Sequence, residues 1–493
     1  MEKHVLSKST FIKGMQCEKA LYLNKFHKEL KSEVSAAQQA IFDRGTKVGE
    51  LATQLFPGGV DCTPESLYDF QQAVIRTQQE IDKGTTIIYE AAFQYNGVLA
   101  ALDILVKDES GWKAYEVKSS TKVTETYQLD ATIQYYAITN SGIELKDISI
   151  VYVNNQYVKN GLINVKQLFK IESVKDKVLE LLPAIPAHVD KLKNILVQNE
   201  IPDIDIGPHC NDPYACDFAS HCWKKIPKYS VFNIANLRED NKFELYKRNI
   251  VNFVDVPEDF PLNENQNMQV NSEVNNQTFI DKIKIKEFVS GLQYPLYFID
   301  FETFATAVPI FDNSRPYQQL VFQYSLHLIN EFDGQLIHKE FLAENNGQDP
   351  RIDFIEKLIL DCGDKGDILV YNVGFEKGKL ADLALAFPRF NNEINKIIER
   401  LKDLMVPFQQ HWYYTPEMQG SYSIKKVLPA LVPQLSYNDL NIKEGETASA
   451  TFAAMLMGEF KGDMIKTRQD LLEYCKLDTL AMVEICKKLN IFI

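Results

Sequence analysis

The stretch Leu296-Tyr297-Phe298-Ile299-Asp300-Phe301-Glu302-Thr303 constrains this chain more than any other, because an apolar run of strand length ends in two acids. Successive side chains of a strand point to opposite faces. Asp300 and Glu302 therefore project together, with Phe298 behind them, while Phe301 turns into a core. Two hard oxygen donors on one face suit magnesium or manganese, although an Asp-x-Glu by itself is common at solvated strand ends. Its partners decide its meaning.

Downstream, Ile368-Leu369-Val370-Tyr371-Asn372 reads as a buried strand running into a turn, and Phe375-Glu376 opens a helix. Near the end, Leu471 to Asp478 has helical apolar spacing, so Tyr474 and Asp478 lie one turn apart on one face. The order Asp-x-Glu, Asn-x-x-Phe-acid, Tyr-x-x-x-Asp resembles the three exonuclease motifs of the DnaQ-like (DEDD) family in the RNase H fold, the tyrosine marking its DEDDy branch. The acid after the phenylalanine is usually aspartate there, and here it is Glu376. The resemblance covers residues 290–493. It implies that Asp300, Glu302, Glu376 and Asp478 bind two Mg2+ or Mn2+ ions, that nucleotides leave from a 3′ end, and that Tyr474 positions the attacking water. Asp403 matches a later acid that supports rather than ligates. Lys425 and Lys426 at a helix start are candidate phosphate contacts, and His411-Trp412-Tyr413-Tyr414 reads either as core or as a base-stacking cluster.

With 493 residues and 45% hydrophobic content, two or three domains with packed cores are expected. No apolar run follows the polar start and no stretch reaches membrane-spanning length, so a cytoplasmic protein without a membrane partner is expected. A net charge of −14 argues against general adhesion to polyanions, which leaves nucleic-acid contact to local basic patches and metal-bridged phosphates. Eight cysteines are too few for a disulfide scaffold over this length, and any clustering points to metal.

The first half carries a second acidic constellation. Three strand-like runs, Thr86 to Phe93, Gly97 to Val106 and Trp112 to Lys118, follow helices expected over Ala36 to Phe56 and Pro64 to Ile81. Asp103 lies inside the second run. Glu116 and Lys118 share a face of the third, with Val117 buried behind them. Two carboxylates suit a divalent ion that lowers the pKa of water, and an ammonium offsets charge on the attacked phosphate; the alternative is a salt-bridged hairpin face. Asp103, Glu116 and Lys118 resemble the PD-(D/E)xK nuclease core. Glu90 on the preceding strand and Gln134 on a helix over Thr126 to Ile138 resemble supporting positions of its RecB-like branch. Two departures stand out: Ile138 replaces the tyrosine of a Gln-x-x-x-Tyr helix, and Gly49 stands where many members have a metal-binding histidine.

Cys210, Cys216 and Cys222 recur at regular intervals in a loop-like segment, and three thiolates need a fourth donor for a closed soft-ligand site. Cys17 is the natural candidate. One early cysteine plus three after the nuclease core resembles the iron-sulfur staple of RecB-like AddB and the CRISPR-adaptation nucleases, which implies a 4Fe-4S cluster; zinc, with His209 or His221 replacing a cysteine, is the second reading. The other four cysteines read as packing residues.

The whole resembles a bacterial family of unknown function in which a RecB-like nuclease domain precedes a DnaQ-like exonuclease domain. The expected fold is α/β: a restriction-endonuclease-like domain with its iron-sulfur staple over 1–228, a helical connector and linker over 229–289 with linker composition from Asn263 to Gln277, and an RNase H-like exonuclease domain over 290–493. The expected function is metal-dependent phosphodiester hydrolysis, on DNA ahead of RNA, in repair or defence, alongside a helicase or other protein in trans. The alternatives are a nucleic-acid-binding scaffold that grips without cutting, and an RNA exonuclease.

Overall fold

A computed structural model of the chain describes residues 5–33, 36–66 and 69–491. It is a mixed α/β protein of two compact units: Met1–Lys225 with Thr306–Tyr317, and Ile226–Ala305 with Gln318–Ile493. Among the described residues no helix is long and apolar enough to cross a membrane.

The first unit is built on a seven-stranded sheet of β1 (Leu6–Ser7), β2 (Val60–Asp61), β3 (Ile87–Tyr95), β4 (Val98–Asp108), β5 (Gly111–Lys118), β6 (Leu145–Val153) and β7 (Phe169–Ser173). Its order is β2-β3-β4-β5-β6-β7, with β1 on β4. The β3–β4 hairpin turns on Asn96-Gly97, both at positive φ, as a two-residue reversal between right-twisted strands requires. After β5 the chain crosses over through helix Glu125–Asn140, capped by Thr124, and returns as β6 parallel to β5. That helix buries Ala131, Ile133, Ala137 and Ile138 against the sheet. The expected helix from Pro64 begins only at Phe70, and Leu67 and Tyr68 lie outside the described residues. Val117 is half-buried, and it is Glu116 beside it that is fully buried.

Thr306–Tyr317, expected within the C-terminal domain, belongs to this first unit. Ala307, Val308 and Tyr317 pack into an apolar cluster with Tyr115 and Val117. Lys159 Nζ lies 2.7 Å from Asp312 Oδ1, and the Tyr317 hydroxyl donates to the Ser119 carbonyl.

In the second unit a short strand, β8 (Phe279–Ile280), precedes β9 (Leu296–Phe304), β10 (Leu320–Ile329), β11 (Leu336–Leu342), β12 (Ile368–Val370) and β13 (Leu401–Asp403). The last five form a sheet in the order β11-β10-β9-β12-β13, antiparallel from β11 to β9 and parallel beyond. Alternation along β9 sends Tyr297, Ile299 and Phe301 into one core with Phe354, Leu358 and Leu380. The opposite face meets the long helix Met464–Ile491, where Gln323 Nε2 donates to the Leu471 carbonyl at 2.8 Å.

The polar stretch expected as linker is a helix, Glu264–Asn275. Its composition misleads because Asn263 and Gln266 form a reciprocal capping box, while buried Gln266 and Gln269 donate to the Ala235 and Asn233 carbonyls at 3.1 Å. The amides satisfy buried backbone instead of water.

Candidate functional site

In the second unit, β9 delivers Asp300 and Glu302, and the long helix delivers Tyr474 and Asp478 to the same place. Carboxylate oxygens of Asp300, Glu302 and Asp478 all lie within 4.8 Å of one another, the only such group of potential metal ligands among the described residues. Glu376, in the first turn of helix Val373–Ala386, is 1% exposed, and its Oε2 has no hydrogen-bond partner among the described residues. It lies outside the tight trio yet close enough for its charge to raise the pKa of Asp300 and Glu302. The structure thus brings three of the four expected acids into ligand distance, with the fourth buried beside them.

The second motif is held under backbone strain. Asn372 sits at φ 82°, in the left-handed region, immediately before the helix carrying Glu376. Asp403, at the end of β13, accepts from the amides of Asn372 (3.1 Å), Val373 (3.0 Å) and Met405 (2.9 Å), so it fixes the loop rather than joining the acid trio. Of the aromatic cluster, His411, Tyr413 and Tyr414 are buried, which is the core reading of that stretch.

Two further residues join this site: Lys425, expected as a candidate phosphate contact, and Tyr437, which carries no motif signal. The Tyr437 hydroxyl donates to Asp478 Oδ1 at 2.6 Å, and Lys425 stands 5.8 and 5.7 Å from the Tyr437 and Tyr474 ring centres while its charge favours ionisation of Glu302 and Asp478. Burial, then the neighbouring acids, pushes Glu302 up to about 8. Burial likewise takes Glu376 to about 8, and Asp478 to about 6 against its bond from Tyr437. Such crowding of hard oxygen donors against their own repulsion fits a divalent cation.

These shifts set the sign of a pH effect. The native state holds protons on Glu302 and Glu376 that the unfolded chain releases near 4.5, so their stabilising contribution is present at low pH and is lost as pH rises through about 8. The thermal midpoint of EDTA-treated protein is expected to fall on going from about pH 5 to about pH 8, and Glu302→Gln is expected to flatten that fall. A variant falling as steeply as the parent would dissociate the effect from this cluster.

In the first unit, Asp103 on β4 and Glu116 and Lys118 on β5 come together as expected. Lys118 Nζ donates to Glu116 Oε1 at 2.8 Å and to Asp130 Oδ2 at 2.5 Å, and Asp103 Oδ2 accepts from the Val117 amide at 2.5 Å. An unexpected residue, Lys8, donates to the same Glu116 Oε1 at 2.7 Å, leaving Oε2 without a partner among the described residues. Burial works against ionisation of Glu116, but Lys118 and Lys8 outweigh it and hold the carboxyl down at about 2; burial and Glu116 push Asp103 up to about 7. Glu90 interrupts the β3–β4 register opposite Asp103 at φ 52°. Gln134 is fully buried, with neither side-chain end bonded among the described residues. Among the described residues Asp103 and Glu116 form no tight ligand trio with a third acid.

Cys17, Cys210, Cys216 and Cys222 line one cavity in this unit, with His209 beside them, and all four thiols are free. Cys17 ends helix Lys8–Gln16 and begins helix Glu18–Phe26. Burial raises its thiol, opposed by the Ala20 and Lys19 amides, and the Phe218 amide donates to Cys216 Sγ at 3.5 Å. Burial outweighs these amides and pushes Cys17, Cys216 and Cys222 up, toward the neutral thiol, and among the described residues no three ligand atoms of this cavity lie within 4.8 Å of one another. Cys62 and Cys362 are buried in apolar clusters and Cys486 is buried, whereas the thiol of Cys475, expected as a packing residue, lies 3.7 Å from the Asp300 carbonyl and 3.9 Å from its Oδ2, beside the acid trio.

A profile described as "Domain of unknown function (DUF2779)" matches residues 297–423, a span that takes in Asp300, Glu302, Glu376 and Asp403. Among curated proteins, the chain is similar to "Uncharacterized protein MG366 homolog" of Mycoplasma pneumoniae, 29% identical over 221 residues, covering 41% of this chain and 33% of that one. It is also similar to "Uncharacterized protein UU173" of Ureaplasma parvum, 34% identical over 185 residues, covering 34% of this chain and 26% of that one. The chain thus spans about a third or less of the length of these relatives.

Proposed function

We propose that this chain is a metal-dependent nuclease whose C-terminal unit trims nucleic acid, DNA ahead of RNA, from the 3′ end and whose N-terminal unit carries a second hydrolytic centre. One observation carries the reading: Asp300 and Glu302 from a strand and Asp478 from a helix late in the chain present oxygens within 4.8 Å of one another. An antiparallel meander extended by two parallel strands suits an RNase H-like sheet, and the β3-β4-β5 meander with its helical crossover to β6 suits a PD-(D/E)xK core.

Asp300, Glu302 and Asp478 would hold divalent ions, with Glu376 completing the set. Such ions, when bound, supply charge neutralisation at the phosphate and a lowered pKa for water. The chain's own groups do the positioning. Tyr437 fixes the Asp478 carboxylate. Tyr474 keeps its proton, since burial and the neighbouring Asp478, Glu302 and Asp300 drive its pKa well above the usual value of 10; it therefore orients a water molecule and does not act as a base. Lys425 offsets phosphate charge. In the first unit Asp103 and Glu116 would hold an ion, supported by Glu90 and Gln134, and Lys118 balances the charge that develops on the attacked phosphate. The four cysteines would hold a 4Fe-4S cluster, with zinc as the second reading because His209 shares their cavity.

The deciding experiment uses end-labelled single- and double-stranded DNA and RNA with Mn2+, Mg2+ or EDTA. A ladder shortening from the 3′ end in Mn2+ and absent in EDTA is expected. Metal-dependent binding without cleavage on every substrate would replace this reading with a nucleic-acid-gripping scaffold.

A further inference from the structure

The first site contains a cation that the PD-(D/E)xK pattern does not supply. Lys8 comes from the start of the unit's sequence, 108 residues before Glu116. Its placement is built in. β1, immediately before it, pairs in parallel with Val98 and Leu99 of β4, the strand that carries Asp103. Ser7 caps the helix Lys8–Gln16 in a reciprocal box with Thr10, and Phe11 on the same helix is fully buried. The backbone under Lys8 is thus pinned to the sheet that displays the acids.

Lys118 and Lys8 share one oxygen of Glu116 but are not equivalent. Lys118 is tied on both sides, to Glu116 and to Asp130. Lys8 bonds to Glu116 alone among the described residues, and its side chain is 27% exposed against 18% for Lys118. Four carboxylates, those of Glu90, Asp103, Glu116 and Asp130, act on these two ammoniums. With all four ionised, the form a bound cation favours, the surplus of negative charge equals one divalent ion. With such an ion bound the site is neutral if Lys8 is present and negative if it is not, so an approaching phosphate meets repulsion in its absence.

We propose that Lys8 is a substrate-contacting cation of the first site: when a divalent ion engages Glu116, the Lys8 ammonium turns to a phosphate of the bound DNA strand. The rival reading makes Lys8 a counter-charge for buried Glu116 and nothing more. The proposal rests on the nuclease reading of this unit, and the test separates the two.

Full-length protein carrying Asp300→Ala/Asp478→Ala, so that only the first site is read, is compared with the same protein bearing Lys8→Met or Lys8→Arg. Binding of a short fluorescein-labelled DNA strand is measured in Ca2+ across a salt series, and Mn2+ affinity is measured separately. Lys8→Met is expected to weaken DNA binding about tenfold and to reduce the slope of log affinity against log salt by about 0.7, the loss of one phosphate contact on a single strand. Mn2+ affinity is expected to be equal or tighter, since a competing cation has gone, and Lys8→Arg is expected to restore both affinity and slope. A purely structural role would weaken Mn2+ and DNA binding together and lower the melting temperature of both variants. An unchanged salt slope in Lys8→Met, with the parent binding DNA in a Ca2+-dependent and Glu116-dependent way, overturns the proposal and leaves the nuclease reading standing. A parent that binds no DNA in Ca2+ overturns that reading of the first site, and the role of Lys8 with it.

Discussion

Replacing Asp300 and Asp478 together by alanine is expected to abolish 3′ trimming, with a loss of at least a thousandfold, about 4 kcal/mol of barrier, once Glu116→Ala has silenced the first unit. The expectation follows from geometry: the pair supplies two of the three carboxylates within 4.8 Å of one another, one from each element that builds the site. Single replacements around the trio separate holding metal from orienting water. Tyr474→Phe is expected to keep Mn2+ and 3′-end binding and lose roughly ten- to hundredfold in rate, because the ring stays packed while the hydroxyl is removed. Tyr437→Phe frees the Asp478 carboxylate, so its loss is expected in metal affinity as well as in rate. Glu376→Asp retracts the buried carboxylate by one methylene, and a change in the Mn2+ to Mg2+ activity ratio is the readout. Undiminished trimming by the triple variant in an end-labelled assay would remove the second unit from the chemistry.

How much of this was legible in the sequence depended on how local the determining interaction is. β9 could be read because strand alternation alone separates Asp300 and Glu302 from Phe301, and the structure keeps that separation, with Phe301 in one core and the acids facing the long helix. Tyr474 and Asp478 could be read for the same reason at helical period. Lys8 could not: its partner lies 108 residues away, and a lysine in the first turn of a short helix normally reads as solvated. Tyr437 was equally silent, since it precedes Asp478 by 41 residues in a short 3-10 turn without periodicity. The linker expectation over Asn263–Gln277 failed because composition records polarity and not its satisfaction; Gln266 and Gln269 are buried against carbonyls they bond. Thr306–Tyr317 carries nothing local that tells which sheet it packs on. Its place in the first unit depends on Ala307, Val308 and Tyr317 finding the apolar face beside Tyr115.

Cys216→Ala is expected to be the most damaging single change in the first unit. The four cysteines line one cavity but come from two distant parts of the sequence, so a cluster there would join the N-terminal helices to the segment after the sheet. Polar contacts already run across this junction: Lys13 Nζ to Asp217 Oδ2 at 2.7 Å, Gln16 Nε2 to the His209 carbonyl at 2.8 Å and Lys19 Nζ to the Ile204 carbonyl at 2.9 Å. Partly exposed contacts of this kind contribute on the order of 1 kcal/mol each, against roughly 10 kcal/mol for a structural metal in a small site. Metal occupancy, not the ion pairs, is therefore expected to set the unit's stability. Anaerobically purified protein is expected to be brown and to contain iron and sulfide, and Cys216→Ala to lose the colour and melt at a lower temperature. Stoichiometric zinc without iron would replace the cluster and leave the staple. The helix that ends at Cys17 begins at Lys8, so the same loss loosens the support of a cation at Glu116. Cys216→Ala is accordingly expected to weaken DNA binding at the first site even where Asp103, Glu116 and Lys118 are intact, while 3′ trimming by the second unit persists.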